Sequence, residues 1–230
     1  MSKTAIRMGH MANLDQGAIG IIKEYDTIRD YAPYVIAALM RSGDVVMDVT
    51  PSTATNTSDS LCKGVDAANN FGADCFVSCH VNAASQGAKG AEVIYYPGSE
   101  SGRVLSIFIQ RELEAIGFYP RGAREDVRGL YELKATKMPA VIVEPFFCTN
   151  ASDVELYQKI GPKALGEAIA KGILAWKGIS FVPEESSHFA QGAYDFIISK
   201  GVKITETRFD EPITRGEYIV LMARMMGYQG

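Results

Sequence analysis

Two histidines stand at the ends of segments that are typical of buried strands. His10 follows the segment 4–8, His80 ends the segment 75–80, and Glu24 lies a short loop beyond His10. Two neutral imidazoles and one carboxylate are the ligands of a catalytic zinc ion, which keeps a fourth position for water. The pattern therefore predicts a zinc site formed by His10, Glu24 and His80. The alternative is that both histidines are hydrogen-bonded structural residues.

A second carboxylate, Glu144, directly follows the apolar run 140–143. A general base could stand at such a strand end, so the sequence predicts a zinc hydrolase with Glu144 as its catalytic carboxylate. The alternative is that Glu144 caps a helix or forms a salt bridge with Arg124 or Arg128. A charged residue after four apolar ones is costly to bury unless it is paired or binds something.

The elements that must position these residues alternate between strand and helix. In the segment 75–80, alternation places Ser78 and His80 on one face and Cys79 on the other. We expect Asp26 and Ser60 to cap the first two helices. The predicted fold is α/β, with a twisted, mostly parallel sheet flanked by helices and with sites at the strand ends. Strands are predicted at about 4–8, 45–49, 75–80, 92–96 and 140–144, and helices at about 27–41, 61–71, 102–116 and 153–176, the last interrupted near Gly161 and Pro162.

The composition argues against several classes of protein. The chain has 230 residues, of which 47% are hydrophobic and 22% charged, as in a globular protein. The formal net charge of -4 gives no electrostatic case for binding nucleic acid. No stretch approaches the roughly 20 apolar residues of a membrane span. The four cysteines are expected to be reduced thiols: Cys62, Cys75, Cys79 and Cys148.

The composition changes after Trp176, where a segment with Gly178, Pro183 and two glutamates predicts a linker. We therefore predict a catalytic domain over 1–178 and a small helical module over 187–230. Because about 45 residues cannot form a large hydrophobic core alone, this module is expected to pack against the catalytic domain or against another copy of itself.

Four segments in order resemble the zinc N-acetylmuramoyl-L-alanine amidases of the bacterial cell-wall type, over about residues 1–178. The resemblance implies that His10, Glu24 and His80 bind zinc and that Glu144 is the catalytic carboxylate. The implied reaction cleaves the amide between the lactyl group of N-acetylmuramic acid and L-alanine in peptidoglycan. The segments are Gly9-His10, then Asp15-Gln16-Gly17-Ala18 with Gly20 and Lys23-Glu24, then 78–83, and finally 139–144 with Asn150.

The sequence departs from this family at Met8, where an acidic residue commonly precedes Gly-His. A zinc-bound histidine usually donates its other ring N–H to an acceptor such as a carboxylate, and Met8 has no carboxylate. A backbone carbonyl is therefore expected to serve His10. In the segment before the last strand, Arg121, Arg124 and Arg128 either bind carboxylates of a peptide stem or lie in a solvated loop.

The tail resembles one S-layer homology repeat, a module that binds wall polymer, through the segments 193–196, 201–202 and 213–218. Self-association is the other role considered for it. Because no signal-peptide h-region precedes the first motif, we expect synthesis in the cytoplasm and action on the cell wall after release, as in a phage endolysin. A zinc carboxypeptidase-like peptidase and a non-catalytic wall-binding protein are the alternative functions.

Overall fold

The computed structural model describes residues 2–184 except 13 and 86. The predicted helical module over 187–230, with its S-layer-like segments, lies outside the described residues. Among the described residues, no helix is long and apolar enough to cross a membrane.

A six-stranded sheet forms the centre of the fold, with strand order β2-β1-β3-β6-β4-β5. Neighbouring strands are parallel except for β4 and β6, which pair antiparallel. The predicted α/β class with a mostly parallel sheet is confirmed. The strands are β1 (Lys3–Met8), β2 (Val45–Asp48), β3 (Cys75–Cys79), β4 (Ala91–Tyr95), β5 (Pro120–Glu125) and β6 (Ala140–Glu144).

Helices cover both faces of this sheet because its central strands are apolar on both sides. Val77 and Val141 pack with α1, α3 and α5 in the larger core, whereas Phe76 and Ile142 belong to a second core with residues of α2 and α4. This alternation places His80 and Cys79 on opposite faces, as predicted. The helices are α1 (Glu24–Arg41), α2 (Thr57–Phe71), α3 (Glu100–Ala115), α4 (Tyr131–Ala135) and α5 (Ala151–Lys177), the last kinked at Gly161.

The two predicted helix caps are wrong. Helix α1 begins at Glu24 after Lys23, which makes no side-chain cap, and Asp26 lies in the first turn. In α2, the Asn56 side chain accepts from the Asp59 amide, and Ser60 lies inside the helix. Both helices therefore start about a turn earlier than the apolar spacing indicates, because polar first turns carry no apolar pattern.

The sequence gives no sign of two elements, β5 and α4. Strand β5 has the polar sequence PRGARE and lies at the edge of the sheet, where one face is not required to be apolar. Helix α4 has only five residues, too few for a helical period. The missed helix α4 matters because its Glu132 lines the candidate site.

Candidate metal and catalytic site

The four predicted site residues meet at one edge of the sheet. His10 follows β1, His80 follows β3, and Glu144 ends β6, and these are neighbouring parallel strands. Their carboxyl ends therefore lie side by side. Glu24, the first residue of α1, joins them, and all four line a cleft of about 380 Å³.

The three predicted ligands converge on one point. The Glu24 Oε1 atom lies 3.0 Å from His10 Nε2 and 3.0 Å from His80 Nδ1. Ligand atoms placed tetrahedrally around zinc, at bonds of about 2.0–2.1 Å, would be about 3.3 Å apart. The donor types are those of a catalytic zinc site, and the three donor atoms lie within 4.8 Å of one another, close enough to surround a single ion. Together these residues form a group that could hold a metal ion.

Backbone amides fix the Glu24 carboxylate. The Ala18 amide donates to Oε2 at 2.8 Å and the Val81 amide donates to Oε1 at 3.0 Å. Gly17 has φ +67°, and a Cβ there would lie 2.5 Å from Oε2, so this loop requires glycine. Burial by itself raises the pKa of Glu24, but the contacts with His10 and His80 hold it well below its ordinary value. Glu24 is therefore ionised, as a metal ligand must be.

The outer ring nitrogen of His10 is paired with a carboxylate. His10 Nδ1 lies 2.8 Å from Asp15 Oδ2, which directs Nε2 towards Glu24. The expectation that a backbone carbonyl serves His10 is wrong, because the loop after His10 turns back and brings in Asp15. Burial by itself lowers the pKa of His10, but Glu24 and Asp15 raise it above its ordinary value.

His80 is positioned by packing on the chain around it. A Cβ on Gly9 would lie 2.5 Å from His80 Cε1, so the imidazole rests directly on the Gly9 backbone. The Tyr31 hydroxyl donates to the His80 carbonyl at 2.9 Å. Burial raises the pKa of the neighbouring Cys79 thiol to about 12, which argues against a thiolate ligand there.

Glu144 is a buried carboxylate beside the ligand group. Its Oε2 atom is enclosed and has no hydrogen-bond partner among the described residues. Burial raises the pKa of Glu144 well above its ordinary value, and the charge of Glu24 raises it further. Because neither Arg124 nor Arg128 forms a salt bridge with it among the described residues, the alternative of a paired structural carboxylate is not supported. A buried, unpartnered carboxylate in a cleft can accept a proton from a bound water.

The three arginines considered for substrate binding have different surroundings. Arg121 and Arg124 lie on β5 rather than in a loop, and their Nε atoms are 2.6 Å and 3.3 Å from Glu92 Oε2. Arg128 is exposed and lines the cleft. Only Arg128 of the three is therefore placed to meet a cleft ligand.

Sequence reasoning missed a buried ion pair in the cleft. Arg7 of β1 lies 3.1 Å from Glu132 of α4, with side chains 3% and 5% exposed. Glu132 also accepts from the Ser78 hydroxyl, and its Oε2 lies 4.0 Å from His80 Nε2. An arginine inside a buried strand could have flagged this pair, since such a charge requires a partner.

The family model, a curated relative and a solved structure all point to the same protein family. Residues 5–175 match the model of the N-acetylmuramoyl-L-alanine amidase family. An uncharacterised 38.4 kDa protein of Clostridium perfringens is 40% identical over 177 residues, covering 74% of this chain and 50% of that protein. The N-acetylmuramoyl-L-alanine amidase LytC of Bacillus subtilis is 35% identical over 175 residues, covering 73% of this chain and 34% of LytC. The chain thus spans about half the length of these relatives or less.

A solved structure has the same fold. The catalytic domain of CwlV, an N-acetylmuramoyl-L-alanine amidase from Bacillus (Paenibacillus) polymyxa, superimposes with a TM-score of 0.69 at 26% identity. The match covers 78% of this chain and all of that domain. The described α/β unit therefore corresponds to a whole catalytic domain of that protein.

Proposed function

Because this chain belongs to the N-acetylmuramoyl-L-alanine amidase family, we propose that it hydrolyses the amide bond between N-acetylmuramic acid and the L-alanine of the stem peptide in peptidoglycan. The proposal is supported by the family match and by the ligand group and carboxylate in the cleft. The action of this chain on the cell wall is part of the same proposal.

His10, Glu24 and His80 would hold the metal, which we propose to be zinc. Their two imidazoles and one carboxylate are a usual ligand set of catalytic zinc sites. When bound, zinc lowers the pKa of a coordinated water to about 7 and polarises a carbonyl oxygen. Asp15 keeps His10 Nδ1 occupied, so that Nε2 presents its lone pair to the site.

Glu144 would move the proton. Its carboxylate would accept a proton from the attacking water and then pass it to the amine that leaves as the new L-alanine N-terminus. The observation that carries this role is the Oε2 atom of Glu144, which is buried in the cleft without a partner among the described residues. A structural carboxylate would be expected to have one.

The test is the variant Glu144→Gln, which keeps the shape of the side chain and removes its base. We expect zinc to stay near one per chain while turnover on a soluble muropeptide falls by about 10² or more. His10→Ala should instead lose zinc and activity together. Glu155→Gln, an exposed glutamate of α5, is the matched control. Loss of metal in Glu144→Gln would make Glu144 a ligand and would contradict its role as base.

Product analysis separates the amidase from the alternatives. Incubation of purified walls with the protein, with and without a chelator, should free L-alanine N-termini while the glycan stays intact. A carboxypeptidase would release a C-terminal amino acid, and a wall-binding protein would leave no new chemical ends. Neither alternative is favoured by the family match. A role of 187–230 in binding wall polymer or in self-association stays a prediction from the sequence.

A further inference from the structure

The turn that carries His10 is held by hydrogen bonds from Arg29, an arginine of α1. The two terminal nitrogens of Arg29 donate to consecutive carbonyls, one to Gly9 and the other to His10, the latter at 2.7 Å. Each is a charge-assisted hydrogen bond, and the planar guanidinium fork suits two acceptors that lie side by side.

This turn has an unusual backbone conformation. His10 has φ +63°, and it is the only non-glycine residue with positive φ in the part of the chain that the structure describes. The left-handed region is unfavourable for L-residues, so it persists only where the surroundings hold it. The Gly9 amide donates to the Cys79 carbonyl at 2.9 Å and so fixes the chain before His10. The two bonds from Arg29 fix the carbonyls of Gly9 and His10 themselves.

Arg29 is held in place by its own helix. Its guanidinium carbon lies 3.8 Å from the centre of the Tyr25 ring, one turn earlier in α1. Such a stacked arginine loses little further freedom when it grips the turn. Helix α1 also begins with Glu24, one of the proposed ligands. The same helix therefore carries one ligand and, in Arg29, the residue that holds the turn of a second ligand, His10.

We propose that Arg29 is a positioning residue for the metal site: its fork holds His10 in the left-handed conformation that aims Nε2 at the other two ligands. The inference rests on the proposed metal site and adds a residue that touches neither metal nor substrate. A simple structural tie between α1 and β1 would use the same hydrogen bonds, so the test must separate ligand geometry from stability.

Arg41 provides a matched control within α1. Its Nε donates to the Val182 carbonyl at 2.9 Å and its Nη2 lies 3.0 Å from Glu167, with no ligand nearby. The variants are Arg29→Met, Arg29→Lys and Arg41→Met in the full chain. The measurements are the zinc dissociation constant by chelator competition, the visible spectrum with cobalt in place of zinc, and the melting temperature of the metal-free protein.

We expect Arg29→Met to weaken zinc binding by about 10- to 100-fold, the usual range for residues that orient a ligand. Arg29→Lys should have a zinc affinity between those of the wild type and Arg29→Met, because its ammonium is a point charge that cannot bind both carbonyls equally. Arg41→Met should keep the zinc affinity and cobalt spectrum of the wild type, whatever its melting temperature.

Zinc affinity within twofold of wild type in both Arg29 variants would overturn the proposal, even if their melting temperatures fell. If Arg29→Met does not fold, Arg29→Lys alone is used, and an unchanged zinc affinity in that folded variant would likewise overturn the proposal. A wild-type chain that binds no zinc would instead refute the proposed metal site. The two failures are therefore distinguishable.

Discussion

Gly9→Ala tests the site by adding a single methyl group. The new Cβ would lie 2.5 Å from His80 Cε1, and ordinary van der Waals contact begins at 3.4 Å. The imidazole must therefore retreat by about 0.9 Å, unless the backbone of β1 and β3 moves instead. Because both strands are central and hydrogen-bonded in register, the ring is the softer partner.

The size of the effect follows from the tolerance of a metal site. Zinc–ligand distances vary by only about 0.2 Å, so a displacement several times larger should cost most of the contribution of His80. We expect zinc affinity to fall by at least 10- to 100-fold, about 1.4–2.7 kcal/mol. Turnover at saturating zinc should fall as well, since a misplacement of about 1 Å can cost 10²-fold.

Chelator competition and the melting temperature with and without zinc measure this prediction. Gly172→Ala is the matched control, because its Cβ would lie 2.5 Å from the Ile109 Cα between α5 and α3, away from the cleft. It should destabilise the protein and keep its zinc affinity. If Gly9→Ala binds zinc as tightly as the wild type, the contact between Gly9 and His80 does not position the ligand.

Two further predictions concern buried charge and pH. Glu132→Ala should lower the free energy of unfolding, measured in urea, by about 3–5 kcal/mol, because it leaves Arg7 buried without its anion. The double variant Arg7→Met with Glu132→Leu should recover most of the lost stability. A cost of Glu132→Ala below about 1 kcal/mol would contradict the importance of this ion pair. Glu24 and Asp15 outweigh the effect of burial and raise the pKa of His10 above its ordinary value. Protons should therefore begin to compete with zinc at a higher pH than for an ordinary histidine, and zinc affinity should weaken by about tenfold per pH unit as the pH falls further. Asp15→Asn should move this onset to lower pH in a chelator titration, and an unmoved onset would exclude Asp15 as a cause.

The sequence alone was sufficient for the ligand group and for most of the sheet. The buried strands are short apolar runs, and a polar residue at the end of such a run has few places to lie other than the carboxyl edge of the sheet. His10, His80 and Glu144 share this signature, and the structure brings them together with Glu24. Their roles as ligands and base stay predictions until metal and turnover are measured.

The residues that support the site were decided by tertiary structure. Asp15 reaches His10 through a turn of the loop, Arg29 grips the same turn from α1, and Glu132 arrives on the short helix α4. Apolar periodicity reports which face of an element is buried, but it carries no information about which polar groups meet across elements. Those partners depend on loop paths and on strand order, which local pattern leaves open until the whole chain has packed.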